Sequence, residues 1–353
     1  MINSLGISII NAKSFGNSNS KSTKYKIGDT RLLNPPNSDG PTEVYVSFHL
    51  QDVDEINDQL ETFHLVGFLN LRWFDPRQSF DPEKIGVAEK IYQGNYQFNE
   101  LAPSWYPQIE LVNISGELEE QSVLMRVKPD GSCNLTQSIN VLVKSRLILY
   151  RYPFDSQQLK VIFKILGYNN KEVVIIADSN SITSNSDLIR IPQWDLTGLS
   201  ASVQKLKTPY SKIDDISSSA VFSLDVERKS FFMIRLIIIP LTLIVFLSMS
   251  VFWMGQSSLG DRMSVSFVGI LTAVTYQVLV AGILPQISYY TLIHSFLGIN
   301  FLVMCLTVVI NLIVGAYDKK GNQEAGDKVD NICRWAFPIV YIIVSFSQVI
   351  FFY

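Results

Sequence analysis

A single stripe of side chains along residues 261–285 carries the clearest chemical pattern in the chain. Stepping through this apolar segment by three and four residues alternately collects small, polar and apolar side chains on one helical face. This pore stripe consists of Asp261, Ser264, Val268, Leu271, Thr275, Val278 and Gly282, with Leu279 beside its outer end. Lipid gives no reason to place a carboxylate and two hydroxyls in register. The spacing therefore predicts that several copies of the segment surround a water-filled path.

The pattern leaves two alternatives open for the polar groups of the stripe. Asp261 could concentrate cations at the mouth of a pore, or it could cap the first turn of its own helix. The hydroxyls of Ser264 and Thr275 could face water, or they could bond back to their own helix as in ordinary membrane helix packing. In the middle of the stripe, Val268 and Leu271 are predicted to form an apolar constriction that excludes water.

The sequence has no set of residues with the spacing of a catalytic site. The three histidines are not spaced as metal ligands, and neither a nucleophile elbow nor a phosphate-binding glycine loop occurs. We therefore expect a protein that is not an enzyme and has no cofactor, while metal binding stays open. Four aspartates could titrate, bind a divalent ion or simply be solvated: Asp178, Asp187, Asp214 and Asp215. A net charge of −3 without a Lys/Arg cluster argues against nucleic acid as a partner.

The composition changes sharply near residue 228 and divides the 353-residue chain into two parts. Residues 1–41 are rich in Asn, Ser and Lys and are expected to form a flexible leader. Residues 42–228 alternate in polarity between turn signals, including a hairpin signal at 128–131, and predict an immunoglobulin-like β-sandwich. Residues 229–353 contain four apolar runs, which predict transmembrane helices at about 231–254, 261–284, 291–317 and 330–353.

Four segments resemble, in the same order, the pentameric ligand-gated ion channels, the superfamily of nicotinic acetylcholine, glycine and GABA-A receptors and their bacterial relatives. They are 68–73 (FLNLRW), 105–113 (WYPQIELVN), 151–157 (RYPFDSQ) and 263–285, which ends in LP. In the animal receptors two cysteines close the loop of the third segment, whereas this chain has Ser145 and Leu159 at the matching positions. The stretch between the third and fourth apolar runs is also short. Both departures resemble the prokaryotic branch.

The resemblance implies a homopentamer in the plasma membrane, or in the bacterial inner membrane if the chain is prokaryotic. The N-terminal domain would be extracellular or periplasmic, and an agonist bound between subunits would open a pore for monovalent cations along the second transmembrane helix. The residues implied to couple the two domains are Tyr152, Pro153, Phe154, Asp155, Arg228 and Pro285. We expect Asp155 to pair with Arg228, and residues 152–154 to press against the linker 286–290. Alternatively, Arg228 anchors the first membrane helix at the lipid headgroups.

The agonist site implied by the resemblance lies between subunits and is lined by aromatic side chains, over which a cation is favourable. Phe68 matches the aromatic residue of the complementary face, and Tyr210 lies in the expected capping loop. Val112 and Leu166 stand where animal receptors carry a tyrosine and a tryptophan. Because the aromatic box is incomplete, we expect a small amine, a carboxylate or a proton as agonist instead of a quaternary ammonium ion.

A rival explanation is a non-conducting, membrane-anchored binding module whose four helices only hold the sensor domains together. Such an anchor has no need for Asp261, Ser264 and Thr275 on one face, and this difference favours the channel. The first residues lack the pattern of a secretory signal. An extracellular sensor would then require a signal that was removed or is replaced by another feature.

Overall fold

The computed structural model of the chain describes residues 34–37, 39–95, 97, 105–116, 122–185, 189–207, 216–254 and 258–352. Within these ranges the strands lie between Thr42 and Arg228, and four long helices follow from Phe231 to Phe352. The predicted fold class, a β-sandwich followed by four membrane helices, is confirmed.

Two β-sheets pack face to face in the N-terminal domain. The seven-stranded sheet has the order β3-β5-β6-β2-β1-β8, with β9 paired to β1. Its strands are β1 (Thr42–Asn57), β2 (Thr62–Phe74), β3 (Lys90–Gln93), β5 (Val123–Val127), β6 (Ser132–Lys144), β8 (Val173–Ile176) and β9 (Ile182–Ser184). The four-stranded sheet has the order β10-β11-β7-β4 and consists of β4 (Ile109–Leu111), β7 (Ser156–Ile165), β10 (Trp194–Lys207) and β11 (Ile216–Arg228).

The core of the sandwich forms where the alternating apolar side chains of the two sheets meet. Side chains along β1 alternate between buried and exposed, as its period-two pattern predicts. Phe48 of the larger sheet and Phe163 and Phe222 of the smaller one form a cluster with ring centroids 5.7 to 6.0 Å apart. The strand β11, which lies between β10 and β7, is buried along most of its length. Its last residue is therefore held firmly by the core where the chain leaves the sandwich.

The hairpin predicted at residues 128–131 is confirmed between β5 and β6. Gly131 donates from its amide to the Lys128 carbonyl, and Lys128 donates to Ser132. Gly131 has a φ of 93°, which L side chains rarely adopt. A Cβ at this position would lie 2.5 Å from the Asp75 carbonyl oxygen, so both the conformation and the packing require glycine.

Four helices follow the sandwich, and among the described residues each is long and apolar enough to cross a membrane. They are α1 (Phe231–Trp253), α2 (Leu259–Ala281), α3 (Leu292–Lys319) and α4 (Gln323–Phe352). A π-helical turn at Ile234–Ile238 precedes Pro240 in α1, which fits a residue that cannot donate a backbone hydrogen bond. The second helix ends at Ala281 instead of near 284, since the chain turns at Gly282 ahead of Pro285.

The fourth helix begins at Gln323 instead of near 330. Hydropathy locates only the part of a helix that lies in lipid, and the first residues of α4 are polar. Asn322 accepts a hydrogen bond from the Ala325 amide at 3.2 Å and so caps the helix start. The additional polar turns place Asp330 within the helix, against the beginning of α2.

We expect Gly131→Ala to lower the midpoint of thermal unfolding more than Gly86→Ala does. Both glycines have a positive φ, and an alanine there costs about 1 kcal/mol in backbone conformation. A Cβ at Gly86 meets nothing within 4 Å, whereas at Gly131 it collides with the Asp75 backbone. Heating the detergent-solubilised protein and measuring the fraction that stays unaggregated by size exclusion checks the difference. Equal shifts for the two variants would contradict the tight packing at Gly131.

Candidate functional site

The pore stripe of α2 is exposed along its whole length in the isolated chain. Leu271 is 68% exposed and Val278 70% exposed, which is unusual for apolar side chains unless other molecules or subunits cover them. The opposite face of α2 is buried by the other helices through Arg262, Ser266, Ala273 and Val280. One face of α2 thus belongs to the subunit core, while the stripe lies outside it.

The hydroxyls on and beside the stripe bond back to their own helix. Ser264 donates to the Gly260 carbonyl at 2.8 Å, and Thr275 donates to the Leu271 carbonyl at 2.9 Å. Thr272, beside the stripe, donates to Val268 in the same way. Of the two alternatives considered for these hydroxyls, the structure therefore contains the one in which they bond back to their own helix. Each hydroxyl oxygen can still accept a hydrogen bond from water, because bonding back uses only its proton.

Asp261 lies in the first turn of α2, beside the N-cap residue Ser258, and is exposed at the same time. Ser258 donates from its hydroxyl to the Asp261 carboxylate at 2.7 Å and accepts from the Asp261 amide at 3.2 Å. A carboxylate in the first turn is stabilised by the helix dipole. These contacts leave the charge on the surface of the stripe, so stabilising the helix start and acting at a pore mouth are compatible functions for Asp261.

The residue after Asp261 points in the opposite direction and forms a buried ion pair. Arg262 donates from its two terminal nitrogens to the two carboxylate oxygens of Asp330, at 2.7 and 2.5 Å. Sequence reasoning missed this pair. An arginine within an apolar run is a signal in itself, because such a charge needs a partner, but its partner is 68 residues away along the chain.

The buried guanidinium of Arg228 joins three strand ends at the boundary between the two domains. Its Nε donates to Asp155 at 2.8 Å, and its terminal nitrogens donate to Asp58 at 2.7 and 2.9 Å. The side chains of Arg228 and Asp155 are each only 2% exposed. The pair expected between these two residues is present, while Asp58 was not anticipated, since nothing in its turn sequence separates it from a solvated loop charge.

Aromatic rings complete the surroundings of Arg228. The guanidinium carbon lies 4.0 Å from the ring centroid of Trp194 and 4.6 Å from that of Tyr152. Burial alone would lower the pKa of Arg228, but the hydrogen bonds that Arg228 donates to the two carboxylates, together with their negative charges, outweigh burial and raise that pKa. Burial likewise raises the pKa of Tyr152. One cation and two carboxylates are therefore held together at the domain boundary.

Two loops of the sandwich contact the outer end of the pore helix and its linker. Gln59, in the β1–β2 loop, donates from its side-chain amide to the carbonyls of Gly282 at 3.2 Å and Leu284 at 3.4 Å. In the loop before β7, the Leu149 amide donates to the Tyr289 hydroxyl at 3.0 Å, and the rings of Tyr150 and Tyr289 stack with centroids 4.3 Å apart. Sequence reasoning did not find Gln59, because its type and position resemble those of any turn residue.

The expectation that residues 152–154 press on the linker stays a prediction, although Ile287 and Tyr289 of the linker pack against the apolar cluster that contains Tyr152. Tyr152 is buried in the sandwich core next to Arg228, and the Pro153 carbonyl accepts from Ser230 at 2.6 Å, at the start of α1. Leu149 hydrogen-bonds to the linker and the ring of Tyr150 lies against it, while the Tyr150 carbonyl accepts from the Leu292 amide of α3 at 3.1 Å. Of these two residues Leu149 is buried and Tyr150 is exposed.

The residues expected at the agonist site do not meet within one chain. Phe68 is exposed on β2 in a cleft of about 680 Å³ that also contains His49, Arg72 and Asp178. Val112 and Leu166 are exposed on the other sheet, after β4 and β7. Tyr210 lies outside the described residues. A site between two subunits would be required to bring these positions together.

The described part of the chain contains no cluster of His, Cys, Asp or Glu that could hold a metal ion. Of the four aspartates considered for titration or divalent ions, Asp178 caps a short helical turn by accepting from Asn180 and Ser181. Asp187, Asp214 and Asp215 lie outside the described residues.

We expect Asp155→Asn to reduce the amount of assembled protein at the membrane and to impair gating. Removing one partner of a buried ion pair typically costs about 3 kcal/mol or more, because the remaining charge stays buried. The matched control is Asp195→Asn, which breaks the exposed pair of Asp195 and Lys229 at 2.8 Å and should cost under about 1 kcal/mol. Surface labelling and agonist dose-response curves provide the measurements. A normal surface level and response for Asp155→Asn would rule out the buried pair as a coupling element.

Comparison with known proteins matches both parts of the chain to one family. Residues 26–230 match the family model for the neurotransmitter-gated ion-channel ligand binding domain, and residues 237–326 match that for the neurotransmitter-gated ion-channel transmembrane region.

Similar proteins come from bacteria and animals. A proton-gated ion channel of Gloeobacter violaceus is 28% identical over 312 residues, which cover 88% of this chain and 83% of that protein. The gamma-aminobutyric acid receptor subunit rho-3 of Homo sapiens is 22% identical over 88% of this chain and 67% of its own length. The neuronal acetylcholine receptor subunit alpha-9 of Gallus gallus is 26% identical over 86% of this chain and 59% of its own length.

The resemblance drawn from the four sequence segments is thus confirmed across the sandwich and most of the membrane part. Members of this family are membrane channels, not enzymes, with an extracellular N-terminal domain that binds the agonist. The chain belongs to the neurotransmitter-gated ion-channel family and is a ligand-gated ion channel subunit.

Proposed function

We propose that five copies of this chain form a homopentameric, cation-selective channel in which the α2 helices surround the pore. The observation that carries the proposal is the exposed pore stripe with Asp261 at its inner end. Lipid could cover the apolar members of the stripe, but it gives no reason to place the Asp261 carboxylate in register with them. Family membership also disfavours a non-conducting anchor, because the members of this family are ion channels. In addition, a non-conducting anchor would not need a pore-helix face that carries polar groups in register.

The charge at the cytoplasmic end of α2 supports cation selectivity. The extracellular sandwich contacts the C-terminal end of α2, so Asp261 in the first turn lies at the opposite side of the membrane. Five exposed carboxylates at one level would raise the local concentration of cations and repel anions. The adjacent positive charge, Arg262, is turned away and paired with Asp330.

The residues around Phe68 support a small, charged agonist. The cleft on this face carries Arg72 and His49 as groups for an anion, Asp178 as a group for a cation, and the ring of Tyr45. A small amine, a carboxylate or a proton can be accommodated by such a set. Current recordings from the expressed channel under a panel of amines, carboxylic acids and pH steps distinguish these three classes.

The middle of the stripe supports a hydrophobic gate. Leu271 and Val268 are one helical turn apart and exposed, so in a ring of five helices they would form successive apolar girdles. Water confined by apolar walls loses hydrogen bonds that the walls do not replace, and an emptied constriction blocks ions.

We expect Asp261→Asn to lower the ratio of cation to anion permeability, because it removes five negative charges from the cytoplasmic mouth. Asp261→Glu keeps the charge and is expected to keep the selectivity. Reversal potentials in a NaCl gradient measure the ratio. If Asp261→Asn leaves the ratio as it was, the carboxylate serves only as a helix cap and the ring has no role in selectivity.

We expect Leu271→Thr to open the channel at lower agonist concentration and to produce current without agonist. A hydroxyl at the gate favours the hydrated, open state. If Leu271 instead packed between helices, the change would lower expression without a left-shifted response. Leu302→Thr is a matched control, because Leu302 is an exposed leucine of α3 at a similar depth and off the stripe. Unchanged sensitivity and no resting current in Leu271→Thr would overturn the gate and the alignment of the stripe with the pore.

A further inference from the structure

The charge of Arg262 is the second ionic group at the cytoplasmic end of α2. It directly follows Asp261 in the chain, in the first turn of the helix. An unpaired arginine at this level would place a positive charge within about one Debye length, roughly 8 Å at physiological salt, of the Asp261 carboxylate. Each subunit would then present one positive and one negative charge to the pore mouth, and the two would largely cancel.

Asp330 prevents this cancellation. The two carboxylate oxygens face the two terminal guanidinium nitrogens in parallel, and the two side chains are 6% and 10% exposed. Bidentate geometry of this kind fixes the direction of the arginine side chain, and the carboxylate offsets its positive charge. Among the described residues, Asp330 is the ion-pair partner that the structure provides for Arg262. Arg334, one turn further along α4, instead donates to the Phe252 carbonyl.

The ionised groups at this end of the subunit can therefore be counted. Asp261 contributes one exposed negative charge, while Arg262 and Asp330 neutralise each other inside the helix bundle. The other acidic and basic residues nearby lie exposed around the α3–α4 turn, among them Asp327 on the outer side of α4. The sign of the pore mouth thus depends on an acid that belongs to a different helix from the pore.

We propose that Asp330 is a selectivity-determining positioning residue. It holds the Arg262 guanidinium away from the pore and offsets its positive charge, so that the Asp261 ring stays effective. This inference rests on the proposed cation-selective function. It assigns part of the charge selectivity to α4, the helix furthest in sequence from the pore helix.

The test compares permeability ratios of Na⁺ to Cl⁻ from reversal potentials of the full-length channel. Asp330→Asn leaves Arg262 unpaired and is expected to lower the ratio at least about tenfold, since the net charge of the mouth falls from minus one to zero per subunit. Asp327→Asn removes the same charge from the exposed side of the same helix and is expected to leave the ratio unchanged. The double variant Arg262→Gln/Asp330→Asn removes both charges and is expected to recover the wild-type ratio.

The outcomes separate the inference from the function on which it rests. A wild-type channel that prefers anions would refute the proposed function itself. A cation-selective wild type with an unchanged ratio in Asp330→Asn would overturn the inference alone, as would a double variant that stays unselective, because Asp330 would then not act through Arg262.

Asp330→Asn could prevent assembly, since it leaves a buried charge without its partner. In that case Arg262→Gln is introduced into the Asp261→Asn channel, whose weaker selectivity makes an increase measurable. Removing the arginine frees the negative charge of Asp330 and should raise the Na⁺ to Cl⁻ ratio several-fold above that of Asp261→Asn alone. The same ratio in both channels would overturn the inference.

Discussion

The contact on which both domains depend is the buried cluster around Arg228. A guanidinium removed from water is stable only if its donors and its charge are matched, and here two carboxylates and two aromatic rings perform this function. Arg228 and its two carboxylate partners lie at the ends of β11, β1 and β7, so the cluster exists only when the two sheets are correctly packed. Because Arg228 ends β11 only a few residues before α1 begins at Phe231, the direction in which the chain enters the membrane follows from the packing of the sandwich.

The cost of removing a charge from water also explains why charged residues in the membrane part are few and point either into the helix bundle or toward water. The other helices cover one face of α2, which leaves the stripe on the opposite face for groups that require water. Polar side chains inside the bundle are satisfied across helices, as with Asn311, which donates to Ser266 at 2.8 Å, and Tyr341, which donates to Asn300 at 2.8 Å. These bonds hold α2 against α3 and α3 against α4. The pore helix is thus positioned by polar contacts on one face and left free on the other.

Much of this arrangement could be predicted from sequence because it depends on local patterns. Period-two alternation located the strands, long apolar runs located the helices, and heptad spacing located the stripe. The residues that escaped prediction act through distant partners. Asp58, Gln59 and Asp330 look like ordinary turn or surface residues, and their roles follow from contacts with residues far away in the chain. The start of α4 was predicted too late in the chain, because hydropathy does not detect the part of a helix that extends into water. The agonist residues Phe68, Val112 and Leu166 stay predictions, since one subunit alone does not bring them together.

The contact of Gln59 with the end of α2 has a thermodynamic consequence. The last carbonyls of a helix lack partners within the helix, and at Gly282 and Leu284 a side chain from the other domain supplies them. An ordered final turn of the pore helix therefore stabilises the contacting position of the β1–β2 loop. By linkage, that loop position stabilises the ordered turn by the same free energy. A net hydrogen bond contributes only about 1 kcal/mol. If five identical subunits change together, as proposed, five such contributions act on one equilibrium, and a weak local contact becomes a shift of several kcal/mol between closed and open states.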